Sequence, residues 1–208
     1  MRETIFGAIL TCIALSASAA DDSVFGTHWV QFQPVQVKGE IQGCQLTFLT
    51  VTADRAYLNG NQVAVNGSIV LRITDNAFGL MLKVGLKDIT FNSAFHQPAF
   101  AYLQTATFST AKAPQQSVDG EPGYKLFVYS SDKDTMGVLK ELISTGKASI
   151  GYNRKKDGID VIAPLDLMVT DVEYTKDQKV VRTRSPEVAS GFAECTVAII
   201  DRALGQKK

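Results

Sequence analysis

The chain has 208 residues, 21 basic against 21 acidic side chains, 45% hydrophobic residues and three cysteines. A chain of that length and apolar content normally makes one domain with a substantial core. Its net charge of zero removes the basic footprint of a nucleic-acid binder, so no nucleic-acid partner is expected.

Residues 1–20 read as a secretory signal peptide. Arg2 and the amino terminus form the positive end, Ile5 to Leu15 the short apolar segment, and Ala17-Ser18-Ala19-Ala20 the small-residue cleavage region. The apolar run is too short to span a bilayer, which takes roughly 20 residues, and no later segment is longer. Cleavage near Ala20 removes Arg2, Glu3 and Cys12, so the charge balance is unchanged and two cysteines remain. Residues 21–208 are then a single β-rich domain, expected in the periplasm of a Gram-negative bacterium or secreted. An oxidising compartment preserves disulfides, and Cys44 and Cys195 are the pair left to form one.

The mature chain alternates with period two over much of its length. Thr27 to Lys38 reads as a strand with Val30, Phe32, Val35 and Val37, and Pro34 places it at an edge or a bend. Gln42 to Val51 sets Cys44, Leu46 and Phe48 on one side. Asn59-Gly60-Asn61 signals a turn, and Asn66-Gly67 between Val63 and Ile73 signals a hairpin of type I′. Asn66-Gly67-Ser68 also matches a glycosylation acceptor. Leu80, Leu82, Val84 and Leu86 alternate with Met81, Lys83, Gly85 and Lys87, a half-buried strand with a solvated basic face.

Phe91 to Phe108 is aromatic-rich and reads as a loop followed by a core strand; Phe95, His96, Phe100 and Tyr102 within it are the candidate lining of a ligand pocket. Thr110 to Gly123 reads as a polar loop, and Tyr124 to Tyr129 as a strand. Asp134 is the expected cap of a short helix with Met136, Leu139, Leu142 and Ile143 facing inward, ended by Gly146. Strands follow on both sides of a charged hairpin tip, Arg154-Lys155-Lys156-Asp157-Gly158. The pattern continues through Leu165, Leu167 and Val169 to a turn at Lys176-Asp177-Gln178 and a last strand from Val180.

Phe192, Cys195, Ile199 and Ala203 share one face of an amphipathic helix, with Glu194 and Asp201 opposite. Ser190 is its expected N-cap and Gly205 its expected end. The Cys44–Cys195 bridge would dock this helix on the Cys44 strand. The fold expected is mainly β: an antiparallel β-sandwich or distorted barrel with two short helices.

No nucleophile elbow, zinc-protease helix, Cys-x-x-Cys or phosphate loop is present. Asp132 to Ile143 does not supply the oxygens of a calcium loop, and His28 and His96 are the only histidines, so no metal or other cofactor is expected. Asp160, Asp166, Asp171 and Glu173 are the carboxylates that could pair for acid–base work.

From Asp134 to Leu204 the chain resembles the invasion-associated locus B family of exported bacterial proteins. The residues concerned are Leu139, Leu142, Gly146-Lys147-Ala148, Asp157-Gly158, Pro164-Leu165-Asp166-Leu167 and Ser190-Gly191-Phe192. The chain departs from that pattern by inserting Thr170 to Glu187 before the helix and by lacking further cysteine pairs. The resemblance implies a periplasmic or secreted β-sandwich with a host-contact role. The expected function is a non-enzymatic binding or interaction protein of the envelope with a protein partner. The alternatives are a carrier of a small apolar ligand and an envelope hydrolase, which a cleft joining His96 or His28 to a carboxylate would favour.

Overall fold

The computed structural model describes residues 23–74, 77–113, 115–177 and 179–205; the expected signal peptide lies outside them. In chain order the elements are β1 Gly26–Val37, β2 Glu40–Asp54, β3 Asn61–Thr74, β4 Ala77–Asp88, β5 Phe100–Gln104, β6 Gln115–Asp119, β7 Lys125–Ser130, α1 Lys133–Thr145, β8 Lys147–Asn153, β9 Val161–Asp166, β10 Val169–Tyr174, β11 Val180–Arg184 and α2 Glu187–Gly205. The large antiparallel sheet runs β1-β2-β3-β4-β7-β6; a second has the order β5-β8-β9; β10 and β11 form a separate hairpin. The sheets do not close into a barrel, and the arrangement is sandwich-like.

Period-two alternation gives the large sheet one apolar face. Cys44, Leu46 and Phe48 of β2, Ile69 and Leu71 of β3, and Leu80, Leu82, Val84 and Leu86 of β4 are all buried there. On the same face of β1 and β2, the buried Thr27, Thr50 and Thr52 meet the free edge of β9. Thr50 Oγ1 donates to the Pro164 carbonyl at 2.6 Å, Thr52 Oγ1 to the Ile162 carbonyl at 2.9 Å, and Thr27 Oγ1 to the Pro164 carbonyl at 3.3 Å. The carbonyls of a free edge need partners, and three β-branched hydroxyls in adjacent strands supply them.

Both helices are where the spacing predicts, each with a shifted start. Asp132, in extended backbone, caps α1 by accepting from the Thr135 amide at 2.8 Å, and Asp134 sits in the first turn instead. Gly146, in the left-handed region at φ 67°, ends α1 as expected. α2 starts at Glu187, one turn before Ser190, because Pro186 has no amide to lose at a helix start and its carbonyl accepts from the Ser190 amide at 2.9 Å. Phe192, Cys195 and Ile199 are buried, and Phe192 meets Phe32 of β1 edge-on, with ring centroids 6.4 Å apart. Cys44 and Cys195 form the expected disulfide, with α-carbons 6.0 Å apart.

Two expectations are corrected. Gln115–Asp119, expected within a polar loop, is the edge strand β6, paired with β7; an exposed edge strand needs no buried alternation to pair. Asn66-Gly67 is not a turn but mid-strand in β3, with Gly67 opposite Phe48 and Val84. The turn between β2 and β3 falls at Asn59-Gly60, both with positive φ. Gly67 is held by packing: a β-carbon there would stand 1.8 Å from the Lys83 carbonyl oxygen and 3.2 Å from the Phe48 ring. Gly67→Ala is expected to destabilise the protein by about 1–3 kcal/mol in urea titration, the usual range for an overpacked core.

Between β9 and α2, β10 and β11 pair as a hairpin. Arg182 ties it to the start of β1, donating to the carbonyls of Thr27 at 3.0 Å, Ser23 at 3.0 Å and Phe25 at 2.7 Å.

Candidate functional site

The elements packed on the large sheet, α2 through Cys195 and β9 through the threonines, lie on its Cys44–Phe48 face. Across its opposite face, Gln31 is exposed and Trp29, Gln45, Thr47, Leu49, Asn66, Val70 and Lys83 are half-buried. Strand register sorts these side chains into rows. Gln31 faces Thr47, Thr47 faces Ser68 and Ser68 faces Lys83, giving a polar row across four strands about 14 Å long at the usual strand spacing. The next row carries Trp29, Leu49, Asn66 and Gly85.

Gly85 is what allows a wall to form at one end of that row. A β-carbon there would lie 2.7 Å from the Tyr124 ring, so its absence lets the ring lie on the sheet. Phe95 stacks behind Tyr124 at 5.3 Å, and the Lys83 ammonium sits 4.7 Å from the ring centroid. Lys83 also pairs with Glu121. The Tyr124 hydroxyl donates to Asn66 Oδ1 at 2.9 Å, and Asn66 Nδ2 donates to the Phe48 carbonyl at 2.9 Å. Burial, then the Glu121 charge, raises the Tyr124 pKa above its ordinary 10.0, so the hydroxyl remains a donor. Asn66, Lys83, Glu121 and Tyr124, with Trp29, Gln45, Thr47 and Ser68, bound a cleft of about 250 Å³. A shallower depression of about 460 Å³ between Gln104–Ala106, Lys147–Ser149 and Pro164–Asp166 has no aromatic wall.

A second polar cluster lies inside the molecule, at the end of β2 and β4. Arg154 does not belong to a solvated tip. Its Nε donates to Asp54 Oδ2 at 2.7 Å and one terminal nitrogen to Asp88 Oδ1 at 2.6 Å. The other donates to His96 Nε2 at 2.8 Å and Asp88 Oδ2 at 3.3 Å. The Asp54 side chain is 0% exposed, that of Arg154 14% and that of Asp88 16%. Burial works against the guanidinium charge, but bonds to Asp88 and Asp54 outweigh it and raise its pKa above the ordinary arginine value. His96 Nε2 is the acceptor here, because a guanidinium has only donors. Asp54 Oδ1 meanwhile takes the Tyr57 amide at 2.8 Å, so both carboxylate oxygens are used.

The four aromatic-segment residues therefore occupy three environments. His96 joins Arg154, and Phe95 backs the cleft wall. Phe100 and Tyr102 pack together at 5.7 Å, with Phe100 edge-on to Phe127 at 6.2 Å. The Tyr102 hydroxyl donates to Asp160 Oδ2 at 2.9 Å; burial, then this bond, pushes its pKa up to about 12. The four candidate acids do not pair with one another: Asp160 holds Tyr102 and Asn153, Asp166 pairs with Arg184, and Asp171 caps the Val172 amide, while Glu173 is exposed. His28 Nε2 bonds the Val24 carbonyl at 2.9 Å.

Among the described residues, no group of three or more His, Cys, Asp or Glu side chains is placed to hold a metal, and no helix is long and apolar enough to cross a membrane. Compared with models of protein families, with curated proteins and with solved structures, the chain matches none.

Proposed function

We propose that the protein is a non-enzymatic binding module of the cell envelope, acting in the periplasm and recognising its partner with the open face of the large sheet. The observation behind this reading is the cleft between Trp29 and Tyr124, where a rigid network holds one wall and the sheet supplies a flat polar floor. The Arg154 cluster favours binding over hydrolysis. It does join His96 to carboxylates, but the ring nitrogen that would act as base is engaged by a guanidinium, and both Asp54 oxygens are committed. The intramolecular disulfide and the signal-like N-terminus both support export.

The test is co-sedimentation of the purified protein with envelopes isolated from the exporting cell. Wild-type protein is expected to sediment with them and Trp29→Ala to bind about tenfold more weakly, the usual scale for loss of an aromatic anchor. Lys155→Ala, at an exposed loop away from the face, serves as control. Equal sedimentation of wild type and Trp29→Ala would remove the sheet face from the function.

A further inference from the structure

We infer that the cleft on the sheet face takes a neutral, hydroxyl-rich ligand, a short stretch of an oligosaccharide chain; this rests on the reading of that face as the recognition surface. Three features of the lining lead there, the first being charge. Lys83 and Glu121 are the charged residues of the lining and neutralise each other, so a phosphate or carboxylate would have to break that pair to gain a cation. An anion is disfavoured, and so is a strongly cationic ligand.

The second feature is unmade hydrogen bonding. Among the described residues, the side chains of Trp29, Gln45, Thr47 and Ser68 have no hydrogen-bond partner in the protein. Together they offer an indole N–H, an amide with both donor and acceptor, and two hydroxyls of either role. An apolar ligand would strip water from these groups and return nothing, at a cost of about 1–3 kcal/mol for each group left buried and unpaired. A ligand whose own groups are hydroxyls, each donor and acceptor, satisfies them without any formal charge. On the wall, the Asn66 amide is held by Tyr124 and Phe48, so it presents its remaining donor and lone pair in one orientation.

The third feature is the pairing of that polar floor with aromatic surface. A sugar ring has C–H groups on its faces and hydroxyls round its rim, and the negative face of an indole attracts such C–H groups. Trp29 stands at the β1 side of the same floor. At about 250 Å³ the cleft falls below the roughly 300–1,000 Å³ of cavities that enclose a whole ligand, so it seats part of a chain that continues along the polar row toward Gln31.

Trp29 is the only tryptophan, so its fluorescence reports on this cleft alone. The probes are chitotetraose, cellotetraose and maltotetraose, with inorganic phosphate and an oligogalacturonate as charged comparisons. The expected result is a saturable change in emission with at least one neutral tetrasaccharide, weakened about tenfold in Gln45→Ala and in the isosteric Thr47→Val. The charged probes are expected to leave the emission unchanged. Silence from all three neutral probes to millimolar concentration, a response only to the charged ones, or full binding by both variants would overturn the assignment. If the sugars fail while Trp29-dependent envelope binding persists, the saccharide falls and the recognition face stands; loss of both removes both.

Discussion

Arg154→Met is expected to lower stability by about 3–5 kcal/mol, the cost of leaving buried carboxylates without their cation. Asp54 is fully buried, comes from the end of β2 and is bonded to Arg154 Nε; Asp88 comes from the end of β4 and takes a terminal nitrogen of the same group. Arg154 follows directly on β8 of the smaller sheet, so this one side chain clamps the two sheets together at that end. Methionine retains much of the stem's packing and removes every donor. Chemical denaturation followed by circular dichroism checks the figure. Adding Asp54→Asn to Arg154→Met should restore part of the loss, since the amide oxygen still accepts from the Tyr57 amide and the buried negative charge is gone. A loss below 1 kcal/mol in the single variant would show that the clamp contributes no more than a surface ion pair.

Loss of the disulfide is the other large effect. Cys195→Ser is expected to cost several degrees of melting temperature and up to about 5 kcal/mol, the chain-entropy figure for closing 151 residues. The bridge holds α2 against β2, and a helix in a protein draws most of its stability from packing its apolar face rather than from propensity. Phe192 and Ile199 remain as anchors in the variant, so the helix should fray from its C-terminal end first. Differential scanning calorimetry of oxidised wild type, reduced wild type and Cys195→Ser separates the bridge from the side chain. The reduced protein and the variant should melt together, well below the oxidised form.

Features set by local periodicity were legible in the sequence. Cys44 shares a strand face with Leu46 and Phe48, and Cys195 a helix face with Phe192 and Ile199, so each cysteine could be placed on a core face and the pairing followed. Arg154 was not legible, because nothing near it in sequence distinguishes a clamp from a charged hairpin tip; its partners lie 100 and 66 residues away. Asn66-Gly67 carried a true local preference for a turn, overridden by a tertiary need for a residue without a side chain beside Lys83 and Phe48. The cleft was hidden for a related reason. In single strands Gln45, Thr47, Asn66 and Ser68 read as solvated positions of an alternating pattern, and only strand register lines them up. One available signal was Trp29, a lone tryptophan at a non-core position of β1.

The most direct test of recognition through the sheet face is the single indole N–H resonance of Trp29, followed in a two-dimensional nitrogen–proton NMR spectrum as solubilised envelope material is added. This resonance and the backbone amides of Thr47, Asn66 and Ser68 are expected to shift or broaden together, while those of β8 and β9 stay in place. An unmoved indole signal, with shifts confined to the β5-β8-β9 sheet or to the β10–β11 hairpin, would contradict it.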